Sequence, residues 1–128
     1  MDEIRLTLPA DRDFFRVAHL VLGGLAVRLN LTFESLEDLQ LALDGILDRE
    51  PGDGEVTVCI AVKSGAIETL VGPITDHAGL SAELERAPGE GVTLRRVLDA
   101  VVDDVALEPR DGEHWVRVTK RVERVGER

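Results

Sequence analysis

The chain has a single cysteine, a single tryptophan, no tyrosine and no surplus of basic residues. Each shortage removes a class of protein. Cys59 stands alone in an apolar alternating run, so there is no disulfide framework, and a reducing compartment fits. No apolar run approaches the ~20 residues that cross a bilayer. The opening Met1-Asp2-Glu3 is acidic and leads into a strand-like run, where a secretory leader has basic residues followed by an apolar stretch. The expectation is a soluble cytoplasmic protein without membrane attachment. Lys and Arg number 15 against 25 Asp and Glu, a net charge of −10. That field repels a phosphate backbone and disfavours nucleic acid as a partner. It suits a basic protein patch, although the same charge also serves solubility alone.

Chemistry-bearing groups are equally sparse. His19 lies in an apolar helical run, while His77 and His114 fall in turn-rich or strand-edge stretches. Without His-x₃-His or Cys-x₂-Cys spacing, no zinc site is expected. Ser35, Ser64 and Ser81 lack the Gly-x-Ser-x-Gly frame of an activated nucleophile. Trp115 is read as core rather than as an interface anchor. What is present is 128 residues, one domain's worth of chain, spanning 1–128. At that length folding buries roughly two-thirds of the unfolded surface, enough for a core without staples.

The run Ile4, Leu6, Leu8 alternates with polar residues and predicts a strand ended by Pro9. Residues 13–29 predict a helix, capped by Asp11 or Asp13 and closed by Asn30. Its apolar residues run nearly all round, so one side packs on a sheet and another needs a helix or a second subunit. Gly23-Gly24 mark either a close helix crossing or a kink. Leu36, Leu39, Leu43, Ile46 and Leu47 place a second helix over 34–50, capped by Thr32 or Ser35 and stopped by Pro51-Gly52. Val56, Val58, Ile60 and Val62 predict a strand that turns at Ser64-Gly65 into another over 67–71. Residues 72–91 read as a loop with at most a short helix at 80–85. Leu94, Val97, Leu98, Val101, Val102 and Val105 carry a last helical period. A turn at 109–112 precedes a closing strand over 115–122, and the charged tail frays. The order implies an α+β two-layer sandwich, a mixed, mainly antiparallel sheet with helices on one face.

Three stretches in that order resemble the anti-sigma factor serine kinases of bacterial stress and sporulation control. These sit in the histidine-kinase-like (Bergerat-type) ATPase family with gyrase and the heat-shock-90 chaperones. The first stretch is Leu8-Pro9-Ala10-Asp11, then residues 26–34, then Leu36-Glu37-Asp38-Leu39-Gln40-Leu41-Ala42-Leu43-Asp44. The second is Gly91-Val92-Thr93-Leu94 with Val102-Asp103-Asp104-Val105, and the third is residues 116–122. The resemblance implies an ATP-dependent switch protein that sequesters a sigma factor and phosphorylates a serine on a small antagonist.

The site residues that the resemblance implies are altered. The family carries a Glu that orients or deprotonates the attacking hydroxyl, and an Asn four residues on that holds Mg²⁺ on the phosphates. Those positions fall on Gly45 and Arg49, which supply neither a base nor a metal ligand. Asp44 and Asp48 share the four-residue spacing, but a one-residue shift rotates them by about 100° around the helix. Two solvated carboxylates are the reading favoured for them. The family's Asp-x-Gly-x-Gly after the third strand is replaced by residues 72–79, where Asp76 and Gly79 are a displaced remnant or an ordinary turn. Its phosphate-holding Gly-x-Gly is reduced to Gly89 and Gly91, with Thr93 in place of the second glycine and Glu90 adding negative charge. The threonine expected before the closing strand falls near His114-Trp115.

The expectation is therefore a degenerate member without ATP or Mg²⁺, a pseudokinase that regulates by contact with a sigma factor or an anti-anti-sigma-type antagonist, as a homodimer. The family's partner-facing surface lies near the first two helices, which makes Arg12, Arg16, Arg28, Glu34 and Asp38 the candidate contacts. A solvated charged face explains each of them as well. Two other readings stand beside it: an active ATP- and Mg²⁺-dependent kinase with a divergent site, and a dimerisation module with no sigma link.

Overall fold

A computed structural model describes residues 3–48, 54–63, 65–75, 77–85 and 93–122. The first alternating run forms strand β1 (Glu3–Pro9), with Ile4, Leu6 and Leu8 on the inward side. Helix α1 (Arg12–Leu29) starts at Asp11, whose carboxylate accepts from the Asp13 N–H at 3.0 Å. Asn30 closes it at φ 57°, ψ 43°, a left-handed turn that asparagine tolerates. Helix α2 (Phe33–Leu47) is capped by Thr32, whose hydroxyl accepts from the Ser35 N–H at 3.1 Å. Of the two candidate caps Thr32 is the one used, and Ser35 lies buried in the first turn.

Strands β2 (Glu55–Lys63) and β3 (Ala66–Gly72) form the expected hairpin. Two short helices follow, α3 (His77–Leu84) and α4 (Leu94–Val101). Strands β4 (Asp104–Arg110) and β5 (Glu113–Arg121) close the fold. Between them Asp111 at φ 51° and Gly112 at φ 81° make a two-residue hairpin turn of the mirror-image kind.

The five strands run in the order β1-β2-β3-β5-β4, and every pair is antiparallel. The mixed sheet expected from the sequence is thus wholly antiparallel among the described residues. Val56, Val58, Ile60, Ile67, Val71, Val116 and Val118 line its inner face beneath Leu22, Leu39, Leu43, Ile46, Leu47 and Leu98. Each such side chain contributes roughly 1.5–3 kcal/mol by leaving water, so this helix–sheet layer carries the stability. The opposite face holds a separate small cluster of Cys59, Leu70 and Trp115. A Cβ at Gly72 would come within 2.7 Å of the Trp115 ring, so the close approach of strand and indole needs glycine there.

Two local readings are corrected. The period from Leu94 does not run to Val105: α4 stops at Val101, because Val102 turns extended at φ −130°, ψ 166° and Val105 enters β4. Gly23-Gly24 do not serve a close crossing among the described residues. Helix α1 runs through them, and an added Cβ at either would meet nothing within 4 Å.

Candidate functional site

Helix α2 buries Ala42, Leu43, Ile46 and Leu47, which leaves Asp44, Gly45 and Asp48 on its outer side between α1 and α4. On the α1 side both carboxylates find partners. Asp44 Oδ1 lies 2.7 Å from His19 Nε2, and Arg12 Nε donates to Asp48 Oδ1 at 3.1 Å. Gln40 reaches the His19 carbonyl at 3.5 Å, a weaker tie between the same helices. These pairs line a groove of about 270 Å³ with Phe15 and Arg16. The two aspartates are thus partly solvated, 37% and 34% exposed, and also reach across to α1. With Arg12 79% exposed, its bridge contributes only about 0–1 kcal/mol.

On the α4 side Gly45 faces Leu94. A Cβ added to Gly45 would lie 2.9 Å from Leu94 Cδ1, and Leu94 is itself buried. Thr93 is the cap of α4, its hydroxyl accepting from the Arg96 N–H at 3.2 Å. The next N–H, that of Leu94, donates to Glu83 Oε1 of α3 at 3.3 Å. The start of α4 is thus engaged by groups of this chain. The depression between α2 and α4, lined by Leu41, Asp44, Gly45, Asp48, Thr93 and Leu94 among others, has a volume of about 210 Å³. Small-molecule sites span roughly 300–1,000 Å³. Between the helices and the sheet, Leu22, Leu39, Leu43, Ile46, Thr69 and Val71 enclose a void of only about 10 Å³, scarcely room for one water.

A nucleotide with Mg²⁺ needs a carboxylate, an amide oxygen and free N–H groups around such a cleft. Gly45 has no side chain, Leu94 occupies the space beside it, and two N–H groups of α4 already have acceptors. Among the described residues, Gly45 and the engaged start of α4 therefore do not supply these groups, and the carboxylates at the cleft are those of Asp44 and Asp48.

The remaining candidates are scattered. Gly79 lies in the first turn of α3, exposed. His114 is the second residue of β5, and its carbonyl accepts from the Ile74 N–H at 2.7 Å. Arg49, Asp76, Gly89 and Gly91 lie outside the described residues. Arg12, Arg16, Arg28 and Glu34 are exposed along α1 and the start of α2. Asp38 is not: it is half-buried and accepts from Lys120 Nζ of β5 at 2.9 Å. The sequence reading missed His19, Glu83 and Lys120, because each acts on a residue distant in the chain and no local motif announces the pairing. It also left open what covers α1. Phe14, Val17, Leu20 and Val27 are exposed on it, Leu20 at 75% and Val27 at 83%, with Phe33 exposed beyond its end.

No family model matches the chain. In sequence it is similar to the serine-protein kinase RsbW of Listeria monocytogenes serotype 4a, 28% identical over 134 residues that cover 87% of this chain and 82% of the relative. The serine-protein kinase RsbW of Oceanobacillus iheyensis is 26% identical over 133 residues with the same two coverages. That of Bacillus subtilis is 27% identical over 77 residues, 55% of this chain and 48% of the relative. In structure the chain resembles the crystal structure of the RsbU and RsbW domains of Rv1364c from Mycobacterium tuberculosis. The TM-score is 0.68 at 15% identity, over 97% of this chain and 33% of that one. That likeness speaks for the fold alone. Over most of its length the chain is similar to serine-protein kinases named RsbW, and the α+β sandwich expected from the order of its elements is the fold found.

Proposed function

We propose that this chain is a non-catalytic relative of the RsbW kinases, a regulator that acts by binding protein partners in a sigma-factor partner-switching pathway. The observation that supports it most is the seat of Leu94 on Gly45. Where the resemblance calls for a catalytic carboxylate there is no side chain, and the neighbouring helix fills the space. The depression is small for a nucleotide, and the two aspartates that border it already reach across to His19 and Arg12.

The partner-facing surface in this reading is the outer side of α1 with the start of α2. Arg12, Arg16, Arg28 and Glu34 are displayed there, while Asp38 is withdrawn because it serves Lys120. Val17, Leu20, Gly24 and Val27 follow one another at spacings of three, four and three, the seam of a helix that packs on another helix. A second copy of the chain covering that seam is the homodimer of this reading, and the compartment is the cytoplasm. No described helix is long and apolar enough to cross a membrane.

The test is reconstitution of the purified chain with the host's sigma factors and small serine-bearing antagonists. The expected result is a stable complex with one of them on size exclusion without nucleotide, and no labelled phosphate on any antagonist. Phosphate transfer supports the alternative kinase reading. Failure to bind any of them leaves the dimerisation module.

A further inference from the structure

We infer that Glu83 is an internal clasp: its carboxylate holds α3 against the N-terminus of α4 and keeps Leu94 seated on Gly45. The inference rests on the nucleotide-free reading of the same cleft and names what holds that cleft shut. Helix α3 is only eight residues long, and isolated helices of that length are marginal in water. Contacts from both its apolar and its polar residues anchor it. Leu80 and Leu84 are buried in the core, on the side of α3 that packs inward. Glu83, beside Leu84, extends its Oε1 to 3.3 Å from the Leu94 N–H.

The chemistry of that contact is that of an anion at a helix start. The first N–H groups of a helix lack partners within it, and the aligned peptide dipoles favour a negative charge there. Thr93 takes the Arg96 N–H and Glu83 takes the Leu94 N–H, so the chain supplies its own carboxylate where an outside anion would otherwise settle. The residue that Glu83 fixes by its backbone is the one whose side chain closes on Gly45. Loosening the carboxylate therefore loosens α3, the first turn of α4 and the wall of the cleft together.

The experiment is amide hydrogen exchange on the full chain, comparing wild type with Glu83→Gln, Glu83→Lys and the control Glu85→Lys. Glu85 is exposed one residue beyond the end of α3 and makes the same charge change. Glu83→Lys places a cation against the positive end of α4. It is expected to speed exchange in α3 and the first turn of α4 by roughly fivefold over the control, the size of a lost helix cap. Glu83→Gln is isosteric, keeps an acceptor and falls between the two, so it decides the matter if the lysine variant does not fold. Exchange in both Glu83 variants no faster than in Glu85→Lys overturns the clasp. Binding of ATP by the wild type overturns the nucleotide-free reading, and the exchange ranking still judges the clasp on its own.

Discussion

At position 45 two effects oppose each other in a way that can be measured. Alanine in a helix is favoured over glycine by roughly 1 kcal/mol. Against this, its Cβ would stand 2.9 Å from Leu94 Cδ1, the end of a flexible but buried side chain. A shift of a few tenths of an ångström relieves one methyl, so Gly45→Ala is expected within about 1 kcal/mol of wild type in urea denaturation. Gly45→Glu restores the residue type implied by the family and cannot be relieved that way. Displacing the buried Leu94 side chain costs about 1–3 kcal/mol, and a loss in that range is predicted. A Gly45→Glu protein as stable as wild type would mean that α4 does not press on α2. Glu83 and Thr93 act at the same scale, each assigning one N–H of α4 to an acceptor of the chain.

Among the elements, α2 is the most tightly committed. It is buried on the sheet, joined to α1 through Asp44 and His19, and joined to β5 through Asp38 and Lys120. The last pair is the most sheltered of these, with side chains 16% and 25% exposed. Removing one partner strands a half-buried charge, so Lys120→Met is expected to lose about 1–3 kcal/mol. Adding Asp38→Leu to it should recover part of that loss, and purely additive losses would deny the coupling. Elements with a strong local period were legible in the sequence: β1, β2 and β3 by alternation, α1 and α2 by the helical stripe. Helix α4 ran on in the sequence reading because Val101, Val102 and Val105 keep helical spacing, and only the extended turn at Val102 separates helix from strand. The site was half legible. Gly45 declared what it lacks, but that Leu94 fills its place is a contact between elements that no local pattern encodes.

Across the whole molecule the outer side of α1 stands out. A chain with net charge −10 has little reason to leave Leu20 and Val27 open to water on one helix face unless another molecule covers them. In sedimentation equilibrium the wild type is expected as a dimer, and Leu20→Glu with Val27→Glu as a folded monomer. A monomeric wild type would remove α1 as the seam between copies. The depression where Leu94, Gly45 and the capped start of α4 meet lies on the other side of α2. In the proposed reading, partner binding and nucleotide binding are assigned to these two faces separately. Calorimetric titration of the full chain with ATP and Mg²⁺ into the millimolar range divides them most directly. The nucleotide-free reading predicts no saturable heat, whereas a saturable isotherm at micromolar ATP would contradict it.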